Sequence, residues 1–481
     1  MAPSLAALSA ALLPLASEPA GLLPAREQMA VSLGWHIILA CFGVAFPAMI
    51  FVVHRRGVVH DDPVALGLAR RWSKVAAVLF AIGAVSGTVL SFEMGLLWPG
   101  LMGPFGDVLG LPFAFEGLSF FVEAIFLGLY LYGWDRMPPR RHLLMLLPMA
   151  AAGIFGTYCV IAVNAWMNMP AGFRIVDGRV TDVHPWAVLL DSAAVLQFLH
   201  MWIGAYMLVG FVVAGVYAAG MLRGRRDAHH RLGFTVPFVF ASIASLVQPV
   251  VGHVLGMRLG ETQPSKLAAF ELATHTEQPA PLRLGGLLVD GQARFFLEIP
   301  KWGSFIARGS FSKPVRGLDT FAPADRPPVN ITHVAFQSMI GIGSLLALAV
   351  TVYWVARWRR HDFLATRWFP WFAVAAGPLA VLALESGWIA TEVGRQPWTV
   401  FGVLRTVNAA TDNPGLWWSY AGALLLYLGM TIGAVVVLRS MARRWRAGEE
   451  DLPSPYGPSE QGGPGSHRHA ADRSDREEVG A

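Results

Sequence analysis

The sequence FEGLSFFVEAIFLGLYLYGWDR, residues 115–136, shows most clearly how this chain folds. It begins with a long apolar run in which only Glu116 and Glu123 carry charge, and it ends at Asp135 and Arg136. A helix of about 20 apolar residues crosses the roughly 30 Å hydrocarbon layer of a membrane. This stretch therefore predicts a transmembrane helix with two buried carboxylates.

The rest of the chain has the same character. Of 481 residues, 54% are apolar and only 14% are charged, whereas soluble domains carry about 25% charged residues. An ordinary soluble fold is excluded. We predict an all-α polytopic membrane protein whose nine transmembrane helices form one bundle. The helices are predicted at about 28–53, 75–98, 112–134, 143–166, 187–220, 233–256, 333–356, 369–392 and 415–438.

Basic residues are concentrated in every second connection between these helices. Arginine clusters occupy residues 55–71, 136–141, 223–231, 357–367 and 439–446, while the predicted loop 99–111 has no Lys or Arg. Because positively charged connections stay in the cytoplasm, the N-terminus is expected outside and the C-terminus inside. This pattern, and not nucleic-acid binding, explains the net charge of +5.

The chain divides into five predicted parts. An N-terminal segment, 1–27, precedes helices one to six in 28–256. Residues 257–332, called the outer segment below, form an extracytoplasmic loop rich in Gly and Pro and too long to be a simple connector. Helices seven to nine lie in 333–440. Residues 441–481 have the composition of a disordered cytoplasmic tail.

Several residues with functional side chains fall at one depth, in the outer half of the predicted bilayer. A charged side chain at membrane depth costs about 2.5–3.5 kcal/mol on insertion scales, so each is a functional candidate. Glu116 and Glu123 are seven residues apart and share one helix face. The candidates in this layer are His36, Glu116, Glu123, His200, Met339, Trp388, Glu392 and Arg395.

Imidazole, thioether and carboxylate groups on separate helices of a bundle are suited to binding haem iron. Structural roles stay open for each residue taken singly: a buried hydrogen-bonded His, a core Met, or a helix-end ion pair between Glu392 and Arg395. Another open function is an ion-coupled transporter that uses the intramembrane glutamates, although no internal repeat is apparent. A dihaem cytochrome b needs two His in each of two helices, which no predicted helix here has.

Several motifs together resemble subunit I of the cytochrome bd quinol oxidases. They are GRQPW at 394–398, ESGWIATEV before it, the 115–136 stretch, NAWMNMPAGF at 164–173 and QPSKLAAFE at 263–271. The resemblance covers residues 24–440. It implies a bacterial cell-membrane enzyme that oxidises menaquinol or ubiquinol outside and reduces O2 to water with cytoplasmic protons, generating proton motive force without pumping. A second large membrane subunit is implied, with or without a small single-span subunit.

The resemblance also implies a set of haem ligands. His36, in SLGWHIIL, matches the histidine of the haem at the oxygen site. His200, in LQFLHMW, and Met339, in FQSMIGIG, match the axial pair of a low-spin haem b. Glu392 matches the carboxylate that serves a high-spin haem b.

Other matched positions imply supporting roles. Trp388 would be an electron-transfer aromatic, and Arg395 a positive neighbour of the haem carboxylates. The pair Glu116 and Glu123 would relay protons or stabilise haem charge. Two residues of the outer segment match those implicated in quinol binding, Lys266 and Glu271.

Two features depart from the common family pattern. The outer segment, which corresponds to the family's Q-loop, is short and resembles that of the cyanide-insensitive oxidases. Gln337 stands where many members have Arg near the low-spin haem. The resemblance therefore leaves haem d and a further haem b as alternatives at His36.

Overall fold

The structure, a computed structural model, describes residues 18–359 and 366–448. Most of the predicted N-terminal segment and of the predicted tail lies outside the described residues. Over the described ranges, nine helices are long and apolar enough to cross a membrane. The predicted all-α bundle of nine membrane helices is confirmed.

The long helices follow one another with short connections except at residues 169–191, in the outer segment and at residues 394–415. The long ones are α1 (Leu22–Val59), α2 (Pro63–Leu97), α3 (Pro99–Tyr132), α5 (Leu146–Asn168), α7 (Ser192–Leu222), α8 (Ala228–Thr262), α11 (Val329–Trp358), α12 (Trp368–Val393) and α14 (Leu416–Ala447). The short ones are α4 (Pro139–Leu144), which leads into α5, and α6 (Trp186–Leu189), α9 (Pro264–Phe270), α10 (Trp302–Arg308) and α13 (Thr406–Ala409), with 3-10 turns at Leu318–Thr320 and Pro323–Asp325.

In residues 18–359 and 366–448 the strands form four small antiparallel pairs, all in connections between helices. The pairs are β1 (Arg174–Val176) with β2 (Arg179–Thr181), β3 (Leu282–Leu284) with β6 (Leu297–Ile299), β4 (Leu287–Val289) with β5 (Gln292–Arg294), and β7 (Trp398–Val400) with β8 (Leu404–Arg405). The hairpin β4–β5 is nested within β3–β6 in the outer segment.

Aspartates begin three of the long helices by capping their free N–H groups. The Asp62 carboxylate accepts hydrogen bonds from the backbone N–H groups of the first turn of α2, next to Pro63 at the first helical position. Asp191 caps α7 and Asp227 caps α8 in the same way. These caps fix where the chain re-enters the bundle after each connection.

The helices are longer than the sequence predicted. The prediction of a loop at 99–111 is wrong, because α3 begins at Pro99 and continues through Pro104 and Pro112. Proline disfavours the interior of a helix, but apolar side chains of this segment, such as Phe105, are buried in a cluster with α5 and keep it helical. In the same way α1 begins at Leu22, before the predicted start at 28.

Two apolar clusters hold the bundle together. The larger combines α1, α2, α7, α8 and α12 around side chains such as Phe46, Phe211 and Phe369. The second lies where α3 and α5 meet the β7–β8 hairpin and includes Trp166 and Val400. The polar residues described next lie in α1, α2, α5, α12 and α9, where these clusters give way to the connections.

Candidate functional site

Several helices that carry predicted site residues meet at the last turns of α12, which begin near residue 384 and end at Val393. If Gly34 of α1 carried a side chain, its Cβ would lie 3.2 Å from Oε2 of Glu385. A Cβ on Gly204 of α7 would lie 3.8 Å from Cδ1 of Leu384. Gly34 precedes His36 by two residues, and Gly204 follows His200, the predicted ligand of α7, by one turn. The end of α12 therefore brings α1 and α7 together.

Met339 on α11 also packs against the end of α12. A Cβ on Gly387 would lie only 2.9 Å from the Met339 sulfur, closer than a side-chain carbon can approach. The half-buried ring of His200 has a similar neighbour, since a Cβ on Gly252 of α8 would lie 3.2 Å from its Cε1. Both predicted axial ligands therefore pack directly against a glycine of a neighbouring helix.

His36 on α1 is half-buried against α2. Its Nδ1 lies 2.8 Å from the Ser86 hydroxyl oxygen. A Cβ on Gly87 would lie 3.1 Å from the ring Cε1. A third predicted ligand is therefore also bordered by a glycine on a neighbouring helix.

Glu392 and Arg395 form a partly buried polar cluster with α5. The Glu392 carboxylate accepts hydrogen bonds from the Asn164 amide and from the Arg395 guanidinium. The Arg395 side chain is only 4% exposed, and its Nε and Nη1 have no partner among the described residues. Because a buried guanidinium is costly unless its donors are satisfied, these atoms fit a second anionic group, such as the carboxylate of a haem.

Lys266 on α9 is part of the same cluster. Its Nζ donates to Oδ1 of Asn168 at 2.7 Å, and the Asn168 amide donates to the Asn164 backbone oxygen at 2.8 Å. Burial and, to a smaller extent, the charge of Arg395 lower the pKa of Lys266 to about 7, while Glu392 opposes the change. The outer segment is thus connected to the Glu392 cluster through asparagines of α5.

Glu271 follows α9 and lies in a different environment. It is 3% exposed, and within the described ranges neither carboxylate oxygen has a hydrogen-bond partner. Burial raises its pKa to about 7, with a smaller opposing effect of Arg283. The sequence placed Lys266 and Glu271 together at the quinol. In the structure Lys266 belongs to the Glu392 cluster, whereas the charged neighbour of Glu271 is Arg283 of β3.

The predicted carboxylate pair of α3 lies deeper in the bundle. Glu123 is 8% exposed and is bordered by glycines of two helices, Gly43 of α1 and Gly153 of α5. Gly43 lies two turns beyond His36, a rise of about 10 Å along α1. Glu116 is half-buried two turns earlier on α3. The pair therefore lies on one face of α3, as the spacing predicted.

Sequence reasoning missed several buried polar residues. Glu93 of α2 is 4% exposed and accepts hydrogen bonds from Gln28 and Ser32 of α1. Glu385, in the last turns of α12, is half-buried. Both are carboxylates within predicted membrane helices, so the cost of charge at membrane depth could have identified them. Asn164 gave a weaker signal, as an amide in an apolar run.

No group of three or more His, Cys, Asp or Glu side chains is positioned to hold a metal ion in the part of the chain that the structure describes. The candidate ligands are instead single residues on separate helices. That arrangement fits axial ligation of haem, in which the porphyrin supplies the other donors.

Comparison with known proteins agrees with this arrangement. The family model described as cytochrome bd terminal oxidase subunit I matches residues 24–445. The chain belongs to this family. A Bacillus subtilis (strain 168) protein provisionally named cytochrome bd menaquinol oxidase subunit I is 33% identical over 86% of this chain and 94% of its own length. A cytochrome bd ubiquinol oxidase subunit 1 of the same organism is 29% identical over 84% and 92%.

A solved structure is similar throughout. The bd oxidase from Geobacillus thermodenitrificans matches 89% of this chain and 100% of its own, with a TM-score of 0.85 and 36% sequence identity. This cytochrome bd subunit I is therefore a multi-pass, haem-binding membrane protein and part of a quinol:oxygen oxidoreductase, with a subunit II as partner. The transporter that the sequence left open is excluded, and the dihaem cytochrome b stays excluded.

Proposed function

We propose that this subunit, together with a second large subunit, oxidises menaquinol or ubiquinol at the outer face of the bacterial cytoplasmic membrane and reduces O2 to water. One observation carries the proposal: the end of α12, which holds Glu392, contacts α1 and α11 and passes beside α7. Those three helices carry His36, Met339 and His200.

Four side chains are assigned to haem iron. His200 and Met339 would hold a low-spin haem b, Glu392 a high-spin haem b, and His36 the haem at the oxygen site, either haem d or a further haem b. When bound, these groups would supply one-electron transfer and an open iron position for oxygen. The unpaired donors of Arg395 support its assignment to the haem carboxylates.

Trp388 is assigned to electron transfer from the low-spin haem of His200 and Met339 to the high-spin haem of Glu392. It follows Gly387, which touches Met339, and precedes Glu392 by one helical turn. It packs against the larger apolar cluster. The ring would lie between Met339, the predicted low-spin ligand of α11, and Glu392, the predicted high-spin ligand of α12.

Glu271 is assigned as the base that takes a proton from quinol. Its buried oxygens lack partners among the described residues, so a quinol hydroxyl could donate to them. Its pKa of about 7 makes it able to accept and release a proton near neutral pH. Lys266, held by Asn168, would bind a quinol oxygen while connecting that site to Glu392.

Protons for water formation would reach the oxygen site from the cytoplasm. Glu116 and Glu123, on one face of α3, would be the last carriers. Because electrons enter from the outer side and protons from the inner side, each electron stores about 2.3 kcal/mol per 100 mV of membrane potential without a pump.

The experiment that tests this function uses the purified two-subunit complex in proteoliposomes. Quinol is added, and oxygen uptake and proton release on the outer side are recorded together. The proposal expects oxygen uptake in which one proton is released on the outer side for each electron that passes from quinol to oxygen. Oxygen uptake with no proton release, or release of additional protons, would contradict the vectorial arrangement.

A further inference from the structure

The His36 ring is held by a hydroxyl that comes from another helix. Ser86 of α2 is completely buried, and its Oγ lies 2.8 Å from Nδ1 of His36. The same hydroxyl lies 2.9 Å from the backbone oxygen of Gly83, one turn earlier on α2. Ser86 therefore connects the imidazole to the main chain of α2.

The number of available protons determines the direction of both hydrogen bonds. A serine hydroxyl has one proton, and a backbone carbonyl oxygen can only accept. Ser86 therefore donates to Gly83, and its oxygen is left as the acceptor facing His36. The imidazole Nδ1 must then carry the ring proton and donate it to Ser86. In the neutral ring this leaves Nε2 with its lone pair free.

The residue after Ser86 borders the Cε1 edge of the ring, between the two nitrogens. A Cβ on Gly87 would lie 3.1 Å from Cε1 and 3.7 Å from Nε2 of His36. Any side chain here would press on the edge of the ring that carries the free nitrogen. Adjacent residues of α2 thus fix the protonated nitrogen and leave space beside the unprotonated one.

We propose that Ser86 is a positioning residue for His36: it holds the tautomer in which Nε2 is the iron ligand and sets the plane of the ring. This inference rests on the proposed function, in which His36 serves the haem at the oxygen site. Hydrogen bonds from the second nitrogen of a ligating His orient the ring and raise its basicity. Their loss typically weakens metal affinity or activity by about 10- to 100-fold.

A serine with a purely structural role would need only the hydrogen bond to the backbone oxygen and not the contact with His36. Serine hydroxyls in membrane helices often bond to a carbonyl of the preceding turn and need no other partner. The same helix provides two such residues, Thr88 and Ser91, whose hydroxyls donate to the oxygens of Ala84 and Gly87 and whose side chains are exposed. They are matched controls, because their loss removes a back-bonding hydroxyl from α2 without touching His36.

The test compares Ser86→Ala, Ser86→Thr and Ser91→Ala in the complete two-subunit complex. The readouts are the midpoint potential and reduced spectrum of the oxygen-site haem and the rate of haem transfer to apomyoglobin. We expect Ser86→Ala to shift the potential and to release that haem about 10- to 100-fold faster, with the low-spin spectrum unchanged. Ser86→Thr, which keeps the hydroxyl, and Ser91→Ala should behave as the parent.

Unchanged potential and haem transfer in Ser86→Ala would overturn the inference, as would a Ser86→Thr variant as defective as Ser86→Ala. A His36→Ala variant separates this failure from failure of the proposed function. If His36→Ala loses the oxygen-site haem while Ser86→Ala is normal, the ligand assignment stands and Ser86 has no positioning role. If His36→Ala keeps that haem, the ligand assignment itself is wrong and the inference falls with it.

Discussion

At the scale of single residues, the functional side chains have buried polar atoms without partners in the described chain. Arg395 has two unpaired donors, and Glu271 has two unpaired oxygens. A buried polar atom without a hydrogen bond is destabilising by about 1–3 kcal/mol, and more when charged. Binding of an anion at Arg395 and of a hydroxyl donor at Glu271 would remove this cost, which supports the proposed haem-carboxylate and quinol sites.

Replacing Glu271 by Gln should lower kcat/KM for quinol by about 100-fold or more, because the base is lost. Burial raises the pKa of Glu271 to about 7, so the proton-accepting carboxylate becomes the major form only as pH rises through that value. Quinol oxidation by the parent should therefore increase with pH near neutrality, and the variant should lose this increase. Oxygen uptake measured across this pH range provides the check.

The matched control is Glu261→Gln, which changes an exposed carboxylate in the last turn of α8. It should keep both the rate and the pH profile of the parent. A Glu271→Gln enzyme with the parental rate and profile would show that quinol loses its proton to another group.

Met339→Leu keeps an apolar side chain of similar size but removes the sulfur. The low-spin spectrum assigned to His200 and Met339 should be converted to a five-coordinate form or lost, as read from reduced-minus-oxidised spectra. Met221→Leu, which changes a buried methionine of α7, should leave the spectrum intact. An unaltered low-spin spectrum in Met339→Leu would remove this residue from the ligand set.

At the scale of elements, the end of α12 organises the site, and Gly387 is its most sensitive position. Alanine there would place a Cβ 2.9 Å from the Met339 sulfur, so the sulfur must move. Gly387→Ala should therefore perturb the low-spin spectrum although it removes no ligand. Gly429→Ala on α14, where a Cβ would meet nothing within 4 Å, should have no effect. Identical spectra for both variants would contradict the packing described here.

The elements also show what could be predicted from sequence. Apolar runs gave the number of membrane helices, because the length needed to cross a bilayer is a strong constraint. Their ends were less predictable. Residues 99–111 look like a loop, but burial of Phe105 against Trp166 outweighs the helix-breaking tendency of Pro104. Tertiary packing of this kind leaves no periodic trace in the sequence.

Part of the site could also be predicted from the sequence. The shared depth of the candidate ligands could be counted along each apolar run, and the contacts at the end of α12 agree with it. The different partners of Lys266 and Glu271 could not be predicted, because they depend on how α9 and the residue after it pack against Asn168 and Arg283. The hydroxyl of Ser86 was hidden among many small residues of α2.

At the scale of the whole molecule, the proposed chemistry requires the outer segment to face outward, as the distribution of arginines predicts. Single cysteines introduced at Asp182 and Arg226 test this orientation. The native Cys41 and Cys159 are buried and should not react. A membrane-impermeant maleimide should label position 182 in intact cells and position 226 only after permeabilisation. The reverse labelling would refute the orientation.

The central claim is that this chain holds three haem groups through His36, His200 with Met339, and Glu392. The most direct measurement is the haem content of the purified complex by the pyridine haemochrome assay, with reduced-minus-oxidised spectra recorded on the same sample. The account predicts three haems for each copy of this subunit, one low-spin and two high-spin. Two haems, or none, would contradict the assignment of the ligands.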